Sequence, residues 1–412
     1  MKNSRVVAFD IIQSILKDNA YSNIAVENSL KDVCGKDKAF VSRIVYGVVE
    51  RKITLEYAVD SYLNKKTKNK VRTLLLIGAY QILFMDKVPD AVAIYETVEI
   101  ADELGVSYYK KLINAVLRKI STDKSVILNC DDLEIKYSCP SNLINMWKKM
   151  YGEDNTISIL ECINDRPPVF AVPNTKFVDA EELQYELLNE GLDCELYYEC
   201  VKINSSFDIT ALNSYKNGLF YIEDYSSYTA ASKLNVKADD IVLDVCAAPG
   251  AKSFTMAQSG AVVYSFDIHK HRVELIKKSA ERLELTNIIT DINDAELYNE
   301  NIPKADKILC DVPCSGFGII RRKPEIRYKN LDDIKELPKI QYQILLTSSK
   351  YLKTGGTIMY STCTLNKKEN EKVVNAFLEK NNNFKLEEQI TIFPTIDGGD
   401  GFFYAIMTKT DD

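Results

Sequence analysis

Histidine and tryptophan are scarce in this chain: two histidines, His269 and His271, and one tryptophan among 412 residues. The two histidines are close neighbours in a charged segment, which excludes a histidine-based triad and a histidine-rich metal site. No metal is therefore expected. A nucleophile must use another base, or be a cysteine, which is partly ionised without much help. Long apolar runs are also missing. None reaches the roughly 20 residues that span a bilayer. The start, Met1 to Arg5, leads into an amphipathic pattern instead of the apolar core of a signal peptide. A cytoplasmic protein with no membrane partner is expected. None of the ten cysteines forms a CxxC pair, and most cysteines in such a chain are small buried hydrophobes.

Charge is unevenly spread. The chain carries a net −7, which argues against nucleic-acid binding over its whole surface. Residues 1–125, however, hold 20 Lys and Arg against 15 Asp and Glu. A basic first third on an acidic body is compatible with local nucleic-acid contact.

Periodicity divides the chain in three. Residues 1–125 repeat apolar positions at helical spacing, as in Val6-Val7-Phe9-Ile11-Ile12 and Leu74 to Leu83, and predict an all-α domain. Residues 126–225 predict a helical connector around Trp147 and then a small α+β domain. Its first strand is expected at Arg166–Pro173, where two prolines exclude a helix. A helix over 179–189 and short strands over 195–198 and 218–222 complete it. In residues 226–412 strands and helices alternate, with strands over 241–245, 261–267, 287–290, 307–312, 356–361 and 401–408. Helices are expected over 253–258, 270–283, 331–352 and 368–380. That alternation predicts a parallel, Rossmann-like α/β sheet with right-handed crossovers.

The loop Cys246-Ala247-Ala248-Pro249-Gly250-Ala251-Lys252 leaves a buried strand and opens a helix. Small residues there let a ligand approach the backbone, and ligands of open α/β sheets bind at that edge. Seventeen residues after Gly250 the next strand ends in Asp267, placed to accept from two ribose hydroxyls. The loop lacks the glycines that cradle a pyrophosphate. An adenosine cofactor without phosphate, S-adenosylmethionine, fits best. Asp294, or its competitor Asp291, follows the third strand, where an adenine amino group would be held. Arg272 is counted with the cofactor residues, and Asp311 ends the fourth strand beside the methyl donor.

Two cysteines stand at strand ends: Cys314 in Asp311-Val312-Pro313-Cys314-Ser315-Gly316, and Cys363 in Tyr360-Ser361-Thr362-Cys363-Thr364. Carbon 5 of cytosine is too weak a nucleophile to take a methyl group directly. A thiolate added to carbon 6 makes carbon 5 enamine-like and divides one hard step into easier ones. A carboxylic acid at ring nitrogen 3, the role open to Asp311, assists that addition. Two cysteines at neighbouring strand ends can divide addition and elimination between them. Cys246 and Cys310 read as buried strand-end residues.

The stretches Cys246–Lys252, Asp311–Gly318 and Tyr360–Thr364 resemble the motifs of the RNA cytosine-5 methyltransferases. Asp37 to Val41, Val45 to Val48 and Ile113 to Arg118 resemble the helical RNA-binding domain related to the antitermination factor NusB. That fusion is the arrangement of the bacterial RsmB (Sun) family, and the resemblance covers essentially the whole chain. It implies methylation of a cytosine of small-subunit ribosomal RNA, cytosine 967 in the family, with ribosomal RNA as partner and a monomeric enzyme. It implies Cys363 as the attacking residue and Cys314 as the one that assists release. The family has a second glycine where this chain has Ala251, a change the loop accepts if φ there is negative. Basic residues Arg321, Arg322, Lys323, Arg327 and Lys329 follow the Cys314 loop and are expected to contact RNA phosphates. The alternatives are a non-catalytic NusB-like RNA-binding or transcription factor, and a cytosine-5 methyltransferase of another RNA. A nucleotide-dependent oxidoreductase is disfavoured by the glycine pattern.

Overall fold

Runs of apolar residues at helical spacing, with few prolines to interrupt them, build the first unit. The computed structural model describes every residue except 1–2, 19–25, 27–28, 31–34, 206–207 and 412; Cys34 lies outside the described residues. Packing groups the chain into two compact units, Met1–Asp165 with Ile320–Lys329, and Arg166–Ile319 with Asn330–Asp412. The divisions at 125 and 225 expected from sequence do not coincide with these borders.

The helical unit contains Ser4–Asp18, Gly35–Glu50, Lys52–Asp60, Asn69–Phe84, Asp90–Glu103, Lys110–Thr122 and Ser141–Cys162, the last broken at Gly152. Asn69–Phe84 is buried at every position but one from Val71 to Leu83. A helix apolar on all sides belongs at the centre of its bundle. The helix Lys110–Thr122 instead buries one stripe, Ile113, Val116, Leu117 and Ile120.

Ile320–Lys329 is far away in sequence yet completes this unit. Arg327 is 1% exposed. Its terminal nitrogens donate to the carbonyls of Glu50 (3.0 Å), Ser138 (3.1 Å) and Ile163 (2.9 Å) and to Asn164 Oδ1 (2.9 Å). The Tyr328 hydroxyl donates to the Val49 carbonyl at 2.8 Å. The expectation that Arg327 contacts RNA phosphates is therefore corrected: its guanidinium is consumed by helix ends, whose last carbonyls have no partner within their own helix. Arg321 is buried as well.

The second unit carries two sheets. Strands β1 (Val169–Pro173), β2 (Cys194–Tyr197), β3 (Cys200–Ile203) and β4 (Phe220–Ile222) form an antiparallel sheet in the order β2-β3-β1-β4. The helix Ala180–Asn189 opens with a capping box between Asp179 and Glu182 and buries Leu183 and Leu187. Strand β3 was not expected, because four residues after a two-residue turn carry too little pattern. The helix Tyr225–Lys233, capped by Asp224, was also not anticipated.

The larger sheet comprises β5 (Ile241–Asp244), β6 (Val262–Asp267), β7 (Ile288–Ile292), β8 (Ala305–Asp311), β9 (Leu352–Thr362), β10 (Phe384–Ile392) and β11 (Phe402–Lys409). Its order is β10-β11-β9-β8-β5-β6-β7. β5 to β9 are mutually parallel, whereas β11 runs antiparallel to both β9 and β10. The sheet is thus mixed, and β10 is an addition to the strands expected. Its alternate residues Lys385, Glu387 and Gln389 hide the strand behind charge on an edge. The helix expected over 331–352 is Leu337–Ser349, because Pro338 fits only a first helical turn. Among the described residues no helix is long and apolar enough to cross a membrane, and no group of side chains could hold a metal ion.

Substitution of Arg327 tests the role of the returning segment. Arg327→Ala leaves several buried carbonyls without donors and should cost on the order of 3 kcal/mol. Trp147, the only tryptophan, is buried in this unit, so its fluorescence during urea unfolding reads the loss. A transition at the wild-type urea concentration would rule the staple out.

Candidate active site

Parallel strands deliver their ends to one edge, and the expected residues collect there. Cys246 follows β5, Asp267 ends β6, Asp294 follows β7, Asp311 ends β8, and Cys363 follows β9. Asp267 and Asp294 are joined through Asn293, whose N–H donates to the Asp267 carbonyl at 3.2 Å. Asp291 lies within β7, opposite Phe266, and is exposed.

The loop after β5 is shaped by Gly250, at φ +111, where a Cβ would lie 2.5 Å from the Phe254 ring. Ala251 begins the helix Ala251–Ala257 and is not at positive φ, so its methyl causes no strain. The Ala247 N–H donates to the Phe266 carbonyl at 2.7 Å, fixing the loop beside β6. Asp267 is 6% exposed. Its Oδ1 accepts from the His269 N–H at 2.9 Å, and Oδ2 lies 3.6 Å from the Arg272 guanidinium. Asp294 accepts from the Glu296 N–H at 3.0 Å. Carboxylates at three strand ends suit ribose hydroxyls, an amino group and a cationic centre. The donor set therefore fits S-adenosylmethionine.

Cys314 Sγ and Cys363 Sγ lie 3.4 Å apart. The hydrogen bond with Cys363 pushes the Cys314 thiol well above its ordinary value, and desolvation adds to the effect. Cys314 therefore holds its proton against the neighbouring sulfur. Beside them, Asp311 Oδ2 pairs with Lys252 Nζ at 2.8 Å, and Oδ1 accepts from the Ser361 hydroxyl at 3.0 Å. Burial opposes the Lys252 charge, but Asp311 and Glu223 outweigh it and leave the ammonium above its usual value. Lys252, grouped by sequence with the cofactor loop, directs its ammonium to Asp311. Cys310 is fully buried and its thiol is pushed up to about 12 by burial; burial raises Cys246 as well.

Sequence reasoning missed what holds the two cysteines together. Glu369 is fully buried. It accepts from the Ser315 N–H (2.8 Å) and hydroxyl (2.6 Å), Gln341 Nε2 (3.0 Å) and Asn366 Nδ2 (2.7 Å). Thr364 Oγ1 accepts from the Phe317 N–H at 3.2 Å. Gly318 donates its N–H to the Cys363 carbonyl at 3.0 Å, and a Cβ on it would fall 2.0 Å from the Gly401 carbonyl oxygen. The only signal in the sequence is an acid six residues after Cys363, which has the look of a surface residue.

Two family models match the chain: "16S rRNA methyltransferase RsmB/F" over residues 231–408 and "NusB family" over residues 2–122. A probable ribosomal RNA small subunit methyltransferase B of Bacillus subtilis (strain 168) is 34% identical, over 98% of each chain. The chain belongs to the RsmB family. A ribosomal RNA small subunit methyltransferase B of Proteus mirabilis is 30% identical over 99% of each. Among solved structures, PH0851 superposes with a TM-score of 0.82 over 99% of both chains at 24% identity, a likeness of fold. A methyltransferase homolog from Pyrococcus horikoshii gives a TM-score of 0.60 at 26% identity, covering 68% of this chain and 98% of its own. RsmB-family membership makes this chain a methyltransferase with a NusB-like helical region.

Asp244, at the end of β5, supplies a pH test of this site's framework. It is 1% exposed, and burial raises its carboxyl from 3.8 to about 7, although the Ser253 hydroxyl opposes the shift at 2.7 Å. Between these values the folded protein keeps a proton that the unfolded chain releases. Stability from this group is thus intact below pH 3.8 and lost as pH rises to 7, by up to about 1.4 kcal/mol per pH unit. In Asp244→Asn the slope of unfolding free energy against pH, measured by urea titrations from pH 4 to 7, should shift in the positive direction by up to one proton's worth, ~1.4 kcal/mol per pH unit. Identical slopes in both proteins would contradict the buried neutral carboxyl.

Proposed function

We propose that this RsmB-family methyltransferase transfers a methyl group to carbon 5 of a cytosine in small-subunit ribosomal RNA, through a covalent bond to Cys363. The observation that carries the reading is the pair of sulfurs 3.4 Å apart beside the Asp311–Lys252 pair. Two thiols this close at the carboxyl edge of the sheet suit a cycle in which one adds to the ring and the other assists its release.

In this reading the Cys363 thiolate bonds to carbon 6 of the ring, and the electron pair of the carbon 5–carbon 6 double bond moves toward carbon 5. The Asp311–Lys252 pair holds a proton at the nitrogen-3 edge, drawing charge away from carbon 6 as the bond forms. Ser361 keeps Asp311 facing that edge. S-adenosylmethionine, when bound, supplies an electrophilic methyl group. Cys246, Ala247, Ala248, Pro249, Gly250 and Ala251 would line its methionine end, Asp267 and Arg272 its ribose, and Asp294 its adenine. A base then takes the carbon-5 proton, that C–H electron pair restores the ring double bond, and the carbon–sulfur bond breaks to release Cys363 as thiolate. Cys314, protonated against the Cys363 sulfur, stabilises the departing thiolate. The target base must leave its stack to reach this crevice, and the NusB-like unit is assigned to holding the RNA.

Cysteine variants test the division of labour. Cys363→Ala should abolish methylation of small-subunit RNA, read as protected cytosines in bisulfite sequencing. Cys314→Ala should accumulate a protein–RNA adduct stable on denaturing gels. An adduct with Cys363→Ala and none with Cys314→Ala would reverse the roles. No protected cytosine with the wild type would favour a non-catalytic RNA-binding protein.

A further inference from the structure

Away from the crevice, the helices after β8 and β9, Leu337–Ser349 and Glu371–Lys380, enclose a groove of about 500 Å³. Lys339, Lys368, Lys372 and Lys380 line it, with Tyr342 and Val373 and without a carboxylate. That is unexpected in a chain with 59 acidic residues against 52 basic ones. All four lysines are exposed. Among the described residues none of their ammonium groups is in an ion pair; Lys380 Nζ lies 5.3 Å from the Tyr342 ring. Some lysines elsewhere in this unit are paired, Lys335 with Asp332, Lys353 with Asp306 and Lys385 with Glu387; what sets the groove apart is that four line it together without a carboxylate among its lining residues. Four like charges along one groove raise the local potential and call for an anion with several charges in a row.

Position identifies that anion. A helix that follows a parallel strand starts at the carboxyl edge of the sheet. Lys339 and Lys372 lie in the first turns of the two helices, and Lys368 just before the second. The groove therefore begins at the edge that carries Cys314 and Cys363 and runs along the helices to Lys380, in the last turn of the second. The two sites also share one turn, since Lys368 precedes Glu369, whose carboxylate holds Ser315 beside Cys314. Helix N-termini add N–H groups and a favourable dipole for anions at the same end.

We propose that this groove seats the sugar–phosphate backbone of the single-stranded RNA flanking the target cytosine; the inference rests on RNA being the substrate. The lysines hold the strand by its phosphates, without reading sequence, while the base to be methylated enters the crevice.

The test measures binding of a fluorescein-labelled small-subunit RNA fragment by anisotropy across a salt titration. For the full chain carrying Lys339→Gln, Lys368→Gln, Lys372→Gln and Lys380→Gln together, the slope of log K against log salt should fall by about 2 to 3, from roughly 0.7 per single-strand phosphate. Its Kd at moderate salt should rise about tenfold or more. Lys372→Gln alone should lose about 0.7 of slope and serves if the fourfold variant misfolds. A Lys335→Gln, Lys385→Gln control, which removes paired lysines, should keep the wild-type slope. Wild-type binding with an unchanged slope in the groove variants overturns the proposal and leaves the groove to an acidic protein segment. A wild-type protein that neither binds nor methylates the RNA overturns the substrate reading instead.

Discussion

The carboxylate of Glu369 is the constraint on which the catalytic geometry depends. A buried, ionisable carboxyl is costly unless donors surround it. Here the donors come from three places: Ser315 after Cys314, Asn366 after Cys363, and Gln341 from the helix Leu337–Ser349. Satisfying one side chain thus aligns two loops whose cysteines are 49 residues apart. Gln341 also donates to the Pro313 carbonyl at 2.9 Å, so the helix holds the residue just before Cys314. The same two loops are also joined by the Ser315–Thr364 hydroxyl contact and by the Gly318 N–H on the Cys363 carbonyl, so the sulfur–sulfur distance is held from several sides.

Charge is divided between two places in the second unit. The crevice gathers carboxylates at strand ends, with Lys252 locked to Asp311. The lysines between the two helices lie outside it, unpaired. An acidic protein can therefore attract a polyanion without filling its cofactor crevice with cations. Net charge describes neither region, which is why composition alone argues against the partner that the motifs support.

The sequence displayed the parallel strands β5 to β9 and the carboxyl edge they define, because buried strands between helices leave continuous apolar runs. The motif residues Gly250, Asp267, Asp311, Cys314 and Cys363 could be placed there from strand order. β3 and β10 were not legible. The first is four residues long, and the second alternates with charge as an edge strand does. Glu369 was invisible for a different reason. Its importance comes from partners up to 54 residues away, and a carboxylate in a lysine-rich turn looks solvated. Arg327 was misread by the same logic, since in a cluster of basic residues the buried members, Arg321 and Arg327, look like the others.

The return of residues 320–329 to the helical unit also sets an order of events in synthesis. Residues 1–165 leave the ribosome first, yet the carbonyls of Glu50, Ser138 and Ile163 gain Arg327 only when four-fifths of the chain has been made. Until then the earliest part of the protein is a bundle with open helix ends. Its completion is a long-range closure, made after most of the second unit's strands already exist. A gene fragment encoding residues 1–165 alone would omit the guanidinium that caps them.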